Sequence, residues 1–158
     1  MRVIAIDPGV ETGYCYAEIE NKRLKFYPHQ GVDDVDDLWR KLKDFEPRII
    51  VCEDWEDRRG ARATGGVNSF PVQLIGVARL YSLVSPQQCA VYLQKPNVGL
   101  GGFYSDKMLK ELKFYVRGLP HGMSATKHLL QWATFGAGYQ YIGTQRDFAE
   151  KLTSWEGG

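Results

Sequence analysis

The chain has 158 residues, a formal net charge of +1 and 25% charged residues. This length suits one domain that buries a core without disulfides or a structural metal. The near-zero net charge does not by itself indicate nucleic-acid binding, although a locally basic face is compatible with it. The cysteines Cys15, Cys52 and Cys89 are isolated, outside any CxxC pair and away from ligand spacing to a histidine. We therefore expect a reducing compartment and no zinc site.

Membrane and targeting signals are absent from the sequence pattern. No segment has the unbroken apolar length of a membrane helix, and the amino terminus enters a strand rather than a signal peptide. We expect a soluble, cytoplasmic protein that contacts no membrane. We also expect a single domain over residues 1–158, in which the last ~20 residues form a tail or a short helix around 144–155.

The first predicted strand, at residues 2–7, ends in a carboxylate and a turn. Asp7 follows an apolar run, and Pro8-Gly9 turns the chain directly after it. A glycine in such a turn lets the backbone approach a ligand closely. A strand that ends in an Asp beside this turn can supply one carboxylate of a site that holds a divalent metal against phosphate. We expect a second carboxylate on a neighbouring strand to complete the site.

Two more strands, at residues 13–19 and 23–29, follow and are joined by a polar turn, so the first three strands should run antiparallel. Residues 33–45 carry apolar side chains at the spacing of an amphipathic helix. Acidic residues open this helix, where carboxylates favour the positive end of the helix dipole. The helical crossover makes a fourth strand, at 48–53, parallel to the first.

The fourth strand is continuously apolar until it ends in Glu53-Asp54, as in a strand buried on both faces. Ligands gather at the carboxyl ends of strands in open α/β sheets, so Asp7 and Glu53 should converge. Successive side chains of a strand point to opposite faces, and we favour Glu53 because it shares a face with Ile49 and Val51. Either acid alone is compatible with a solvated strand end or a helix cap, whereas the pair with the turn favours a functional site.

The rest of the chain predicts alternating helices and one more strand. Residues 54–68 are polar and glycine-rich, which is typical of a loop, and loops at strand tips often carry function. The later elements are a helix at 69–83, a fifth strand at 89–93 and helices near 105–116 and 121–135.

This order of elements is the ribonuclease-H-like α/β arrangement, a mixed five-stranded sheet with its first three strands antiparallel and helices on its flanks. The residues more specifically resemble the RuvC-type Holliday-junction resolvases, particularly small bacteriophage members, over about residues 1–135. The segments that carry the resemblance are 4–9 with Thr12-Gly13, the strand ending at Glu53, 93–95 leading to 98–99, and the helix opening at 121–125.

The resemblance implies cutting of branched DNA with two Mg²⁺ ions, for which Mn²⁺ can substitute. It matches Asp7 and Glu53 to the family's first two metal-binding acids, and His121 to a position where some members carry a catalytic histidine. Lys107 resembles the lysine that meets DNA near the scissile phosphate. The family has an acid three residues after His121, and this chain departs from that pattern with Ser124.

The serine matters because a hydroxyl is a neutral and weaker ligand for a hard cation than a carboxylate. One metal should therefore bind less tightly. Three outcomes stay open: His121 carries the second metal or acts as a general acid or base, an acid such as Asp106 approaches from the preceding helix, or the enzyme is slow. We interpret His128, two helical turns after His121 on the same side, as a packed or surface histidine.

Basic and aromatic side chains near these elements predict the DNA-binding surface. Three arginines in the glycine-rich loop either meet phosphates, with binding that weakens as salt rises, or remain solvated. Phe70 is compatible with a core position or with a wedge that enters a junction. The predicted DNA-binding residues are Arg58, Arg59, Arg62, Lys95, Lys107 and Phe70.

Our first hypothesis is a Mg²⁺-dependent endonuclease that resolves four-way or other branched DNA. Paired incisions across a symmetric junction need two active sites, so the resemblance also predicts a homodimer. The alternative is a branched-DNA-binding protein whose nuclease activity is weakened or lost because of Ser124. A third hypothesis, an ATP-binding protein of the actin-like superfamily, shares the strand-Asp-Pro-Gly opening, but the chain has no second phosphate loop and is too short for two domains.

Overall fold

A computed structural model describes residues 1–54, 69–96 and 102–142. Its strands are β1 (Arg2–Asp7), β2 (Gly13–Glu20), β3 (Arg23–Gln30), β4 (Ile49–Glu53) and β5 (Ala90–Gln94). Its helices are α1 (Val35–Phe45), α2 (Phe70–Val84), α3 (Asp106–Glu111), α4 (Pro120–Phe135) and α5 (Tyr139–Ile142). Within the described ranges, no helix is long and apolar enough to cross a bilayer.

The strands form one mixed sheet in the order β3-β2-β1-β4-β5. β1, β2 and β3 pair antiparallel, whereas β4 runs parallel to both β1 and β5. The predicted ribonuclease-H-like α/β fold is therefore confirmed, including the antiparallel first three strands and the parallel fourth. β4 can run parallel to β1 because α1 first carries the chain back to the end of the sheet at which β1 begins.

Helices cover both faces of the sheet, which explains the unbroken apolar sequence of β1. Its alternate residues Val3 and Ala5 pack in the core formed with α4, and Ile4 and Ile6 pack in the core formed with α1 and α2. All four side chains are fully buried. A strand with one solvated face would alternate apolar and polar residues instead.

Helix α3 is shorter than predicted and ends at Glu111 rather than near residue 116. Lys113 adopts the left-handed region with φ of 61°. Its backbone N–H donates to the Lys110 carbonyl at 3.1 Å, and the Phe114 N–H donates to the Leu109 carbonyl at 2.8 Å. These two bonds form a Schellman motif, in which buried Phe114 closes the helix end. The apolar spacing of residues 105–116 did not reveal this stop because lysine replaces the usual glycine.

Helix α4 crosses β2 and β3 at very short range. A Cβ atom added to Gly13 would lie 2.0 Å from the His121 carbonyl, and one added to Gly122 would lie 2.5 Å from the His29 carbonyl oxygen. Only glycine allows two backbones to approach this closely. The two glycines therefore fix the amino-terminal end of α4 beside the carboxyl end of β1.

Candidate active site

Two acidic side chains meet where β1 and β4 end. Ile6 pairs with Cys52 in the parallel register, so Asp7 and Glu53 are the next residues of adjacent strands. Each acid belongs to the alternate set of its strand that faces α4, because Ala5 and Val51 lie in that core. The sequence argument that chose Glu53 over Asp54 agrees with this geometry.

Asp7 lies in a site with little access to solvent, its side chain only 14% exposed. Burial raises the pKa of its carboxyl, and the neighbouring Glu53 carboxylate raises it further. A hydrogen bond from the Ser124 hydroxyl and the nearby imidazoles of His128 and His121 oppose the rise in pKa. These partners do not cancel the effect of burial, so the Asp7 charge is incompletely compensated by the protein.

The turn after Asp7 is held by a threonine. The Thr12 hydroxyl donates to the Gly9 carbonyl at 2.9 Å, and it accepts from the Gly9 N–H at 3.3 Å. Thr12 is fully buried, so these local bonds give its hydroxyl the partners that a buried polar group needs. The turn thereby keeps Asp7 in a fixed position relative to the start of β2.

His121 reaches the site from the first turn of α4. Its Nδ1 lies 3.6 Å from Asp7 Oδ2, and its Nε2 lies 3.3 Å from Glu11 Oε2. The imidazole is 38% exposed, and Glu11 is more exposed still. Sequence reasoning did not single out Glu11. Its place in the turn directly after Asp7-Pro8-Gly9 was the signal that could have found it.

His128 is fully buried and contacts the second acid. Its Nε2 lies 2.8 Å from Glu53 Oε2, and its Nδ1 lies 2.8 Å from Gln94 Oε1. The interpretation of His128 as a packed histidine agrees with its burial but missed both of these partners. The seven-residue separation from His121, two turns along one side of α4, was the available signal.

No protein-family model and no curated protein matches the sequence, but solved structures match the fold. Thermus thermophilus RuvC in complex with a Holliday junction substrate superposes with a TM-score of 0.61 at 14% identity, covering 91% of this chain and 98% of that one. The fowlpox virus Holliday junction resolvase gives 0.53 at 13% identity, with 84% and 97% covered. The yeast mitochondrial Holliday junction resolvase gives 0.53 at 14% identity, with 95% and 83% covered.

The chain has the fold of the RuvC-type resolvases. Since the identities are 13–14%, this likeness establishes the fold, and the function has to be argued from the side chains. In the resolvase-like fold of this chain, Asp7, Glu53, His121 and Ser124 gather at one end of the sheet.

Two other residues considered from the sequence, Lys107 and Asp106, have their described contacts elsewhere. Lys107, in the first turn of α3, is 87% exposed, and its Nζ lies 4.0 Å from Glu111 Oε1. Among the contacts of the described residues, none joins Lys107 to Asp7 or Glu53. Asp106, considered as a compensating acid, instead pairs with Lys127 Nζ at 2.7 Å. Its carboxylate is thus engaged in anchoring α3 on α4.

The predicted DNA-binding residues are only partly within the described ranges. Lys95 is exposed just beyond β5. Phe70 begins α2, is half-buried, and packs against the core on the α1 and α2 face. Arg58, Arg59 and Arg62 lie outside the described residues, as do the predicted loop from residue 55 onward, the segment 98–99 and the predicted tail helix.

The donor set suits a hard divalent cation. Across residues 1–54, 69–96 and 102–142, no three acidic, histidine or cysteine side chains are arranged to hold a metal ion. Mg²⁺ does not require such a cage, because it commonly binds through one or two carboxylates and completes its shell with water and substrate phosphate. Asp7 and Glu53 provide those carboxylates, and the raised pKa of Asp7 marks negative charge that a cation would stabilise.

Proposed function

We propose that this protein is a divalent-metal-dependent endonuclease that cuts branched DNA, with four-way junctions as its main substrate. One observation carries the proposal: two largely buried carboxylates, Asp7 and Glu53, lie side by side at the carboxyl ends of adjacent parallel strands. Structures with the same fold are named as Holliday junction resolvases, one of them in complex with its junction. Fold and site together support this reaction class over the other hypotheses.

Asp7 and Glu53 would hold Mg²⁺ or Mn²⁺, with the Ser124 hydroxyl and the His121 imidazole as additional ligands on the Asp7 side. When bound, such cations stabilise the attacking water and the leaving oxygen of a phosphodiester displacement. Oxygen-rich donors of this kind suit both metals. The proposal assigns both acids to binding because each has a partly exposed edge, 14% for Asp7 and 20% for Glu53.

His121 has the exposure and position to exchange a proton with the reacting groups. Its ring touches Asp7 on one side and Glu11 on the other, at distances longer than a tight hydrogen bond. A ring held this loosely can turn toward a DNA phosphate, and imidazole is the side chain best suited to proton transfer near neutral pH. We assign His121 as a catalytic residue in one of two roles, as a ligand of the cation or as the group that exchanges the proton.

The proposed DNA-binding surface combines basic side chains with one aromatic residue. Lys107 offers an ammonium group that is almost fully exposed, and Lys95 follows β5 at the same end of the sheet as Glu53. Basic side chains of this kind neutralise phosphates and give affinity that falls with salt. The proposed set is completed by Arg58, Arg59, Arg62 and Phe70.

A homodimer is part of the proposal, because a symmetric junction requires two incisions and therefore two copies of the site. Helix α2 offers a surface for the second copy: Val72, Leu80, Leu83 and Val84 are apolar and exposed, Leu83 at 83%. Exposed apolar patches on a helix are typical of interaction sites.

Equilibrium sedimentation should show a dimer at micromolar concentration for the wild type and a monomer for Leu83→Glu. A monomeric wild type, with and without DNA, would contradict the dimer.

The first experiment measures binding and cleavage together. Wild type, Asp7→Asn and Glu53→Gln are incubated with a labelled four-way junction, a matched duplex and a single strand, each with Mg²⁺, Mn²⁺ or EDTA. We expect metal-dependent incision of the junction by the wild type, and a loss of at least ~10²-fold in each variant. Asp54→Asn is the matched control, since Asp54 follows Glu53 but belongs to the other face of the strand, and it should cut like the wild type.

The second candidate function is branched-DNA binding without efficient cleavage. The observation that favours it is Ser124, which places a neutral hydroxyl on Asp7 where the resolvase pattern has an acid. Tight binding of the junction with no incision under either metal would establish this alternative. Incision that depends on Asp7 would exclude it.

A further inference from the structure

Glu53 contacts the buried side chain of His128, which in turn contacts Gln94 on another element of the fold. His128, on α4, approaches Glu53 Oε2 with Nε2 at 2.8 Å, and Gln94, at the end of β5, meets His128 Nδ1 at 2.8 Å. Gln94 is also the residue that pairs with Glu53 in the parallel ladder of β4 and β5. Glu53, His128 and Gln94 therefore form a chain of side-chain contacts that links β4, α4 and β5.

Both ring nitrogens of His128 are occupied, and the ring has no exposure to solvent. A histidine that ligates a metal directly needs one nitrogen free to face the ion. His128 therefore has the geometry of a residue that orients a ligand rather than of a ligand itself. Its contact with Oε2 restricts the orientation of the Glu53 carboxylate.

We propose that His128 and Gln94 are positioning residues that fix the Glu53 carboxylate for divalent-cation binding. This inference rests on the proposed function, in which Glu53 is one of the two metal-binding acids. Partners that hydrogen-bond to ligating carboxylates set the orientation of the ligand, and their removal typically lowers metal affinity by about 10- to 100-fold. Nothing in the resolvase-like motifs of the sequence assigns either residue to this role.

The arrangement matters more in this chain because Ser124 is neutral. With two carboxylates rather than more, affinity depends strongly on how well those two are aimed before the cation arrives. Helix α4 serves both acids, since His121 in its first turn lies beside Asp7 and His128 two turns later lies beside Glu53. Any displacement of α4 would therefore change both sides of the site.

The test measures Mn²⁺ binding to the folded, DNA-free protein by electron paramagnetic resonance and calorimetry. His128→Met removes both hydrogen bonds while keeping an apolar side chain in the buried position. His128→Gln keeps an amide donor near the position of Nε2, and Gln94→Met removes only the contact to Nδ1. Gln131→Met, a similar change on the part of α4 that has no described contact with Glu53, is the matched control, and Glu53→Gln is the positive control.

We expect the Kd for Mn²⁺ to rise ~10- to 100-fold in His128→Met and by a smaller factor in Gln94→Met. His128→Gln should stay within a few-fold of the wild type, and Gln131→Met should match it. In cleavage assays the metal concentration for half-maximal rate should rise in His128→Met, while the rate at saturating Mn²⁺ approaches that of the wild type. A merely structural role would lower the amount of folded protein without this separation of the two quantities.

The outcomes separate this inference from the proposed function. If His128→Met and Gln94→Met bind Mn²⁺ like the wild type while Glu53→Gln does not, the positioning role is wrong and the nuclease proposal is untouched. If the wild type binds Mn²⁺ but cuts no DNA, the nuclease proposal is wrong and the Kd values alone decide the positioning role. If the wild type binds no Mn²⁺, both are wrong. Should His128→Met fail to fold, Gln94→Met on the other element gives the same decision.

Discussion

The two acids of the candidate site sit in different surroundings. On the Glu53 side, the fully buried His128 imidazole contacts the carboxylate at 2.8 Å, and the Gln94 amide contacts the other nitrogen of that ring at 2.8 Å. On the Asp7 side, the partners are the Ser124 hydroxyl and a half-exposed His121 ring at 3.6 Å. The protein thus orients the Glu53 carboxylate with its own buried side chains, whereas the negative charge of Asp7 is not fully compensated by protein groups. A bound cation and a DNA phosphate would therefore contribute most on the Asp7 side.

The difference follows from depth along one helix. The first turn of α4 lies at the rim of the site, so His121 keeps solvent on one side, whereas the third turn lies in the core, so His128 has only protein around it. One helix therefore places a partly exposed histidine, His121, beside Asp7 and a buried histidine, His128, beside Glu53. The predictions below test this division, beginning with the largest expected effect.

Moving α4 away from the sheet should disrupt both sides at once. In Gly13→Ala the new Cβ would overlap the His121 carbonyl at 2.0 Å, and both contacting groups are backbone, so neither can move aside cheaply. We expect a loss of ~2–4 kcal/mol in the free energy of unfolding, measured by urea denaturation, together with weaker cleavage.

Gly76→Ala is the matched control for this change. Gly76 lies in α2, and a Cβ atom there would meet nothing within 4 Å. Alanine in an exposed helical position should stabilise the protein by ~0.5–1 kcal/mol. If Gly13→Ala were as stable as Gly76→Ala, the close crossing of α4 would not be what holds the two sides together.

Sequence reasoning found both acids and the partners of Asp7, but it missed the residues that orient Glu53. Asp7 and Glu53 were predictable because strand alternation and a parallel crossover fix which face and which end of the sheet they occupy. The Glu53–His128 contact joins residues 75 apart, and helical spacing says only that His128 shares a side with His121. What that side faces depends on how close α4 lies to the sheet, which Gly13 and Gly122 determine through backbone contacts. The end of α3 was missed for a similar reason, because Lys113 adopts a conformation that glycine usually signals.

His121→Ala should separate the two histidines by function. We expect cleavage of the junction to fall by ~10²-fold, because the proposed catalytic residue beside Asp7 is lost. Stability should change by less than ~0.5 kcal/mol, since the ring is half-exposed and its contacts are long. Single-turnover cleavage and thermal melting check the two parts. A large drop in melting temperature would show that His121, like His128, is held as part of the core.

Ser124→Asp should strengthen cation binding on the Asp7 side. A third carboxylate gives a hard cation a charged ligand in place of a neutral hydroxyl. We expect cleavage at limiting Mg²⁺ to rise by ~10-fold, the equivalent of about 1.4 kcal/mol. Ser124→Asn, which is polar but uncharged, is the control and should give no gain. Robust wild-type cleavage with no gain from the new acid would show that the serine does not weaken the site.

Asp7→Asn should stabilise the protein in EDTA, although we expect it to lose cleavage activity. Burial and Glu53 raise the pKa of the Asp7 carboxyl above its ordinary value of 3.8, so the folded state holds this proton more tightly than the unfolded state does. The stability linked to Asp7 is therefore present at low pH and is lost as the pH rises from 3.8 through the folded pKa. The advantage of Asp7→Asn should grow over that range and then level off, at about 2–4 °C in melting temperature for a gain of ~1 kcal/mol.

Glu53→Gln should change the melting temperature in the opposite direction to Asp7→Asn. It therefore tests the difference between the two acids most directly. Replacing the Glu53 carboxylate weakens the contact with a fully buried imidazole, and a buried donor without a charged acceptor costs free energy rather than releasing it. In EDTA we therefore expect Glu53→Gln to melt below the wild type, while Asp7→Asn melts above it. Melting curves from about pH 4 to about pH 8 measure both differences in one series. If both variants changed the melting temperature in the same direction, the protein would compensate the charges of the two acids equally. The proposed difference between the Glu53 side and the Asp7 side would then be wrong.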